Sequence, residues 1–212
     1  MTFRQSPLTE LEAPIRSLGV GGAVSFWIQE RPFRTHINLR GDTSEARFVE
    51  AVATATGVVL PQDPNTCVSS DRWHVSWLSP DEWLLIGHED DAAVAVLVDQ
   101  LESLHHALNE ISGGQTVFRV GGDAWRDVLA SACPFDLHPR AFGEGACGQT
   151  VVAHTNVVLI FVNDDPRGEA LDIVVRRSFA DHLARWLMDA AIEGGFEFLA
   201  PARLSQPRRF AR

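Results

Sequence analysis

The sequence predicts an α+β fold: two ferredoxin-like βαββαβ units in tandem, with antiparallel sheets and helices packed on one face. Three observations predict it. Strand-like alternation and helix-like apolar stripes succeed one another in the order β-α-β-β-α-β, twice. The strand–helix junction Ile37-Asn38-Leu39-Arg40-Gly41-Asp42 recurs as Phe118-Arg119-Val120-Gly121-Gly122-Asp123. The chain has 212 residues, 45% of them apolar and 22% charged, which suits a packed core in one domain or two small fused ones.

The elements follow in order. Residues 1–22 read as an irregular N-terminal arm, holding Pro7, Pro14, Gly19, Gly21 and Gly22 without a clear period. Residues 23–200 form the duplicated domain, with repeat one at about 34–112 and repeat two at about 115–199. Val24 to Arg40 alternates as strands do and breaks at Arg31-Pro32. Asp42 with Glu45 reads as a capping box for a helix whose face is Phe48, Val49, Val52 and Ala53, and Gly57 stops that helix. Residues 58–66 read as a loop. Trp73, Val75 and Trp77 alternate as a strand, and Trp83 to Gly87 is its partner across Ser79-Pro80-Asp81. Val94, Leu97, Val98, Leu101 and Leu104 stripe a second helix, and Asn109 to Ser112 reads as a short strand.

The second unit repeats the order. Thr116 to Val120 is a strand, and Asp123 opens a helix with Trp125, Val128 and Leu129. A Pro- and Gly-rich loop runs from Cys133 to Gly145. Strands at Thr150–Ala153, Val157–Val162 and Leu171–Val175 follow, the last two joined as a hairpin across Asn163 to Gly168. Ser178 with Asp181 reads as the cap of a helix lined by Phe179, Leu183, Trp186, Leu187, Ala190 and Ala191, stopped by Gly194-Gly195. Phe196 to Leu199 is the last strand. Residues 201–212 are an Arg-rich tail. A sheet with helices on one face leaves its other face and its edges open, so a sister repeat or a partner chain must cover them.

Composition excludes several functions. The formal net charge is −10, from 28 acidic and 18 basic residues, which argues against generic nucleic-acid binding. No apolar run reaches the length of a membrane helix. Met1 to Arg16 carries Glu10 and Glu12 and no apolar core, so a secretory signal is not expected there and the cytoplasm is the expected compartment. All the basic residues are Arg; without Lys or Tyr, Schiff-base and phenolic acid–base chemistry are excluded.

Motifs for chemistry are sparse. Gly19-Val20-Gly21-Gly22 lacks the strand before and the helix after that a dinucleotide cradle needs. The histidines show no H-x-x-x-H pair, and Cys67, Cys133 and Cys147 show no C-x-x-C, so no metal site is expected and the thiols read as buried structural residues. Ser-His-Asp catalysis lacks a G-x-S-x-G elbow. Asp42, Asp123 and Asp181 have helix-cap roles, and Asp164 and Asp165 a turn role, which leaves no obvious acid–base pair. Two features point to a partner. Trp73 and Trp77 share one sheet face, where they either pack under a helix or form a partner-facing patch. Arg203, Arg208 and Arg209 lie in a tail with no acid among the last ten residues, which either docks on an acidic partner or stays a solubilising end.

Four ordered runs carry a family resemblance: Leu78-Ser79-Pro80-Asp81-Glu82-Trp83-Leu84-Leu85, Gly114-Gln115-Thr116-Val117-Phe118-Arg119-Val120, Cys133-Pro134-Phe135-Asp136-Leu137-His138-Pro139 and Arg176-Arg177-Ser178-Phe179-Ala180. Together they resemble the gamma subunit family of heterotetrameric sarcosine oxidases, from about Arg34 to Phe198. The resemblance implies an aminomethyltransferase-like, folate-binding-domain-like fold built from paired ferredoxin-like units. It implies a complex with alpha, beta and delta chains, in which alpha is the main contact and stabilised by gamma. That complex converts sarcosine, oxygen and tetrahydrofolate to glycine, hydrogen peroxide and methylenetetrahydrofolate. FAD, FMN, NAD, tetrahydrofolate and zinc are implied in the partner chains, with no cofactor and no catalytic residue in this one. A stand-alone folate or one-carbon binder, and the equivalent subunit of a related N-methyl amino acid dehydrogenase, are the alternatives.

Overall fold

The computed structural model describes residues 5–11, 15–88 and 91–201. The first half of the chain supplies β1 (Ile15–Leu18), β2 (Phe26–Arg31), β3 (Thr35–Gly41), α1 (Ala46–Thr56), β4 (Cys67–Ser69), β5 (Trp73–Ser79), β6 (Glu82–Gly87), α2 (Asp91–Leu101) and β7 (His106–Glu110). The second half supplies β8 (Gln115–Gly121), α3 (Trp125–Ala130), β9 (Cys147–Val152), β10 (Thr155–Val162), β11 (Ala170–Arg176), α4 (Ala180–Ala190) and β12 (Gly195–Leu199).

Two sheets result. The first has the order β4-β5-β6-β3-β7 and is antiparallel throughout. The second has the order β1-β12-β2-β8-β11-β10-β9. With β2 set aside, β12-β8-β11-β10 repeats the arrangement β7-β3-β6-β5, the ferredoxin-like order in both halves. β2 departs from it. It runs parallel to β12 and antiparallel to β8, wedged between the two strands the motif would make neighbours. Glycine permits the wedge. A Cβ on Gly122 would stand 2.4 Å from the Ser25 carbonyl oxygen, and one on Gly195 2.2 Å from that of Ala23; both residues also have positive φ. The 19–22 glycine run folds here as well. Gly19 N–H donates to Ala23 O at 3.0 Å, and Val20 N–H to Glu193 O at 3.1 Å, so it is a packing turn.

The arm at 1–22 is therefore not irregular throughout. Ile15–Leu18 adds an edge strand onto β12, and Leu8 and Leu11 are buried in the core of the second half. Ser6 donates to the carboxylate of Glu30 and anchors the arm to β2.

Alternation decides the layers. Ile37, Leu39, Trp73, Val75, Trp83 and Leu85 point from the first sheet into a core closed by Phe48 and Val52 of α1 and by Leu97 and Leu101 of α2. Phe118, Val120, Leu159, Leu171 and Ile173 do the same in the second sheet, under Trp125 and Leu129 of α3 and Leu183 and Leu187 of α4. The remaining faces of the two sheets meet each other, through Cys67 and Leu84 on one side and Val117, Cys147, Ile160 and Val174 on the other. The order of layers is helix, sheet, sheet, helix. The sister repeat covers the sheet face that sequence patterning left open.

Local details shift. Asp42 does not cap α1; its carboxylate accepts from Ser44 N–H, and Glu45 is the N-cap, accepting from Arg47 N–H. Gly57 ends α1 in the left-handed conformation, as expected. Ser178 lies in a 3-10 turn (Arg177–Phe179) before α4, so it caps nothing, and α3 begins without a side-chain cap. The stripe of α2 is narrower than its pattern: Leu97 and Leu101 are buried while Val98 is exposed. The last strand of the first unit is His106–Glu110, not 109–112.

Candidate functional site

The seam between the two sheets is where polar and ionisable side chains converge. Its centre is apolar, and its two ends open as clefts. One end, of about 770 Å³, is lined by neutral and charged groups that include Asn38, Glu82, Gln149 and Arg176. Asn38 Nδ2 donates to Glu82 Oε1 at 2.6 Å, and Gln149 Nε2 donates to Leu78 O at 2.8 Å, tying β9 to β5.

The other end, of about 420 Å³, is charged. Arg119 on β8 forks onto Asp172 on β11, Nε to Oδ1 and Nη2 to Oδ2, both at 2.7 Å. Those residues face each other because β8 and β11 pair Arg119 with Asp172 in register. Arg119 Nη1 reaches Asp165 at 3.4 Å, and Asp165 also accepts from Arg167 Nε at 3.1 Å. Although burial works against it, those guanidinium partners hold the Asp165 carboxyl below its ordinary value. Arg31, Arg34, His74 and His88 line the same cleft.

Sequence reasoning missed a Ser–His contact here. Ser69 Oγ lies 2.7 Å from His74 Nδ1, because β4 and β5 pair these two residues directly. The signal was strand pairing, which no linear motif carries. Burial pushes the His74 pKa down to about 4, which makes it a weak base at neutral pH, and its Nε2 has no partner among the described residues. It therefore has no orienting third group of the kind a nucleophilic triad needs.

The cysteines meet as well. Thr66 and Ala146 form an isolated bridge between the two halves, and Cys67 and Cys147 flank it. Both thiols are buried and free, and Cys147 Sγ donates to Thr66 O at 3.1 Å. The neighbouring Cys67 thiol makes Cys147 the more acidic of the two. Among the described residues, no group of three or more His, Cys, Asp and Glu side chains is placed to hold a metal.

The two tryptophans singled out for a partner interface divide. Trp73 is 4% exposed and lies in the helix-side core, where its ring covers Gly87; it presents no face to a partner. The alternation that put Trp73 and Trp77 on one face was right, but that face is the one the helices cover. Trp77 is half-buried against the same core. Arg203, Arg208 and Arg209 lie outside the described residues.

A profile of the sarcosine oxidase gamma subunit family matches residues 40–193, most of the chain. The chain belongs to the sarcosine oxidase gamma subunit family. A gamma subunit from Corynebacterium sp. strain U-96 is 33% identical over 195 residues, covering 90% of this chain and 91% of its own. One from Arthrobacter sp. is 31% identical, covering 91% and 92%. Among solved structures, the heterotetrameric sarcosine oxidase from Corynebacterium sp. U-96 in complex with pyrrole 2-carboxylate contains a chain with a TM-score of 0.78 and 31% identity, covering 90% of this chain and 96% of that one. Aminomethyltransferase T of the glycine cleavage system from Bartonella henselae has a TM-score of 0.64 at 13% identity, covering 93% of this chain and 60% of that one, and shares the fold. As a member of the gamma subunit family, the chain has the paired α+β architecture that its repeat pattern predicts. No helix among the described residues is long and apolar enough to cross a membrane.

Proposed function

We propose that this chain is the gamma subunit of a heterotetrameric sarcosine oxidase and acts there as a structural, non-catalytic subunit seated against the alpha chain. The observation that carries this reading is the likeness, over nearly the full length, to one chain of such a complex, at 31% identity and a TM-score of 0.78. The seam supports it, since Arg119, Asp165 and Asp172 hold one another in ion pairs and burial makes His36 and His74 poor bases at neutral pH. Surface chemistry supports it too. Leu18, Val20 and Ile192 are 59%, 92% and 53% exposed and cluster where the 19–22 turn bonds to Glu193, next to the open edge of β1. Apolar side chains beside an unpaired strand edge suit a partner that buries both.

In this reading the complex turns sarcosine, oxygen and tetrahydrofolate into glycine, hydrogen peroxide and methylenetetrahydrofolate. FAD, FMN, NAD, tetrahydrofolate and zinc belong to the alpha, beta and delta chains. The compartment is the cytoplasm, which suits three buried free thiols. The test is co-expression with alpha, beta and delta chains, with and without this one. Co-purification with alpha, and a loss of soluble alpha and of sarcosine-dependent peroxide when gamma is omitted, are expected. A stable, monodisperse chain that never binds alpha overturns the reading. Calorimetry with tetrahydrofolate on the isolated chain separates it from a stand-alone folate binder, for which micromolar affinity is the signature.

A further inference from the structure

The charged end of the seam holds an imbalance that the ion pairs do not remove. Arg119, Arg167, Asp165 and Asp172 neutralise one another. Arg31 and Arg34 remain. Neither forms an ion pair among the described residues; Arg31 Nε is buried without a partner, and Arg34 Nη1 has a hydrogen bond only with the neutral ring nitrogen His88 Nδ1, at 3.1 Å. Burial first, and then the charges of Arg119 and Arg34, push Arg31 away from its charged form, and the attraction of Asp172 and Asp165 offsets this only in part. Burial is also the largest influence on Arg34, in the same direction, with the attraction of Asp172 opposing it and the charge of Arg119 adding to it. A guanidinium stays charged in proteins, so this cost persists until an anion offsets it.

Two histidines, His74 and His88, line the same space. Ser69 Oγ and His74 Nδ1 share a hydrogen bond in which either group can be the donor; His74 lines the cleft, and its Nε2, buried and without a partner among the described residues, is a donor in the tautomer whose Nδ1 accepts from Ser69. With Arg34 donating to His88 Nδ1, the His88 proton is on Nε2, where a backbone hydrogen bond with Asp71 engages the ring, so His88 offers the cleft no free donor. The groups outside ion pairs at this end thus include two guanidinium donors, in a chain whose net charge is −10. The acids at the rim, Asp71 and Asp164, are exposed to solvent, where screening weakens them; they disfavour a large polyanion more than a small one.

We propose that the cleft between Arg31, Arg34 and His74 binds a small oxyanion, for which a carboxylate and inorganic phosphate present the same acceptor edge. Guanidinium forks match that edge two bonds at a time. The volume of about 420 Å³ admits a small organic acid.

The experiment titrates the purified full chain with acetate, succinate or inorganic phosphate, each at constant ionic strength balanced with chloride. The readouts are the His74 ring resonances and the unfolding midpoint. Saturable movement of the His74 signals with at least one of the three is expected, together with a rise in midpoint that follows occupancy. Comparing the three ligands distinguishes a carboxylate from a phosphate site. Arg31→Gln removes a buried, unpaired charge, so it is expected to fold at least as stably as the parent and to bind about tenfold more weakly. Arg34→Gln provides the same comparison independently. A response that is linear and unsaturated for all three anions overturns the proposal, as does one that survives unchanged in both variants.

Discussion

His36 makes the stability of the fold depend on pH in a calculable way. It sits on β3, facing the seam, with no exposed surface. Its Nδ1–H donates to Arg34 O at 3.0 Å, and its Nε2 has no partner among the described residues. Burial lowers its pKa from 6.5 to about 4, and the charge of Arg34 pushes the same way. Between those two values the unfolded chain binds a proton that the folded chain refuses. The contribution is therefore fully present above pH 6.5 and is lost as pH falls toward 4. At pH 5.0 the loss from this one residue is about 2 kcal/mol, approaching about 3 kcal/mol below pH 4. Urea unfolding followed by tryptophan fluorescence at pH 7.5 and 5.0, on the parent and on His36→Gln, measures it. The parent should lose about 2 kcal/mol more than the variant over that interval. Equal losses would refute the reasoning, because they would mean His36 protonates as easily inside the seam as outside it.

Three further outcomes follow from the same geometry. Glu30 works with the opposite sign: burial raises its pKa, so its contribution is present at low pH and is lost as pH rises through the folded value. Glu30→Gln should be more stable than the parent at pH 7, by on the order of 1 kcal/mol, with the gap closing near pH 4 in the same urea assay. Asp172→Asn breaks the fork that holds Arg119 and should cost about 3 kcal/mol in chemical denaturation; a variant as stable as the parent would show the pair to be idle. Gly195→Val places a side chain against Ala23 O at a positive φ, so it should cost about 3 kcal/mol or more and speed amide exchange at Ile15–Leu18, where the edge strand depends on that close approach. Unchanged exchange there would separate β1 from the glycine contact.

Much of the architecture was legible because it is written in local periods. The alternation of Trp73, Val75 and Trp77, the stop at Gly57 and the hairpin turn between β10 and β11 each depend on residues a few positions apart. The capping residues were less legible. Asp42, Ser178 and Asp123 are all plausible caps by type, and only the path of the chain decides which oxygen meets which N–H. The charged cleft was not legible. Arg119 and Asp172 are brought together by strand register, and Arg31 and Arg34 arrive from a strand and a turn far away in the chain.

What the residues determined alone is the succession of strands and helices, the repeat of that succession and the face of each strand that is apolar. Only the tertiary structure decided which chain covers the second face of each sheet, and the answer is the sister repeat. It also slid β2 between β8 and β12 and turned Trp73 inward. The physical reason is one of range: side-chain periodicity registers a residue's immediate neighbours, whereas strand order and sheet stacking are settled by burying the largest apolar area the whole chain can reach.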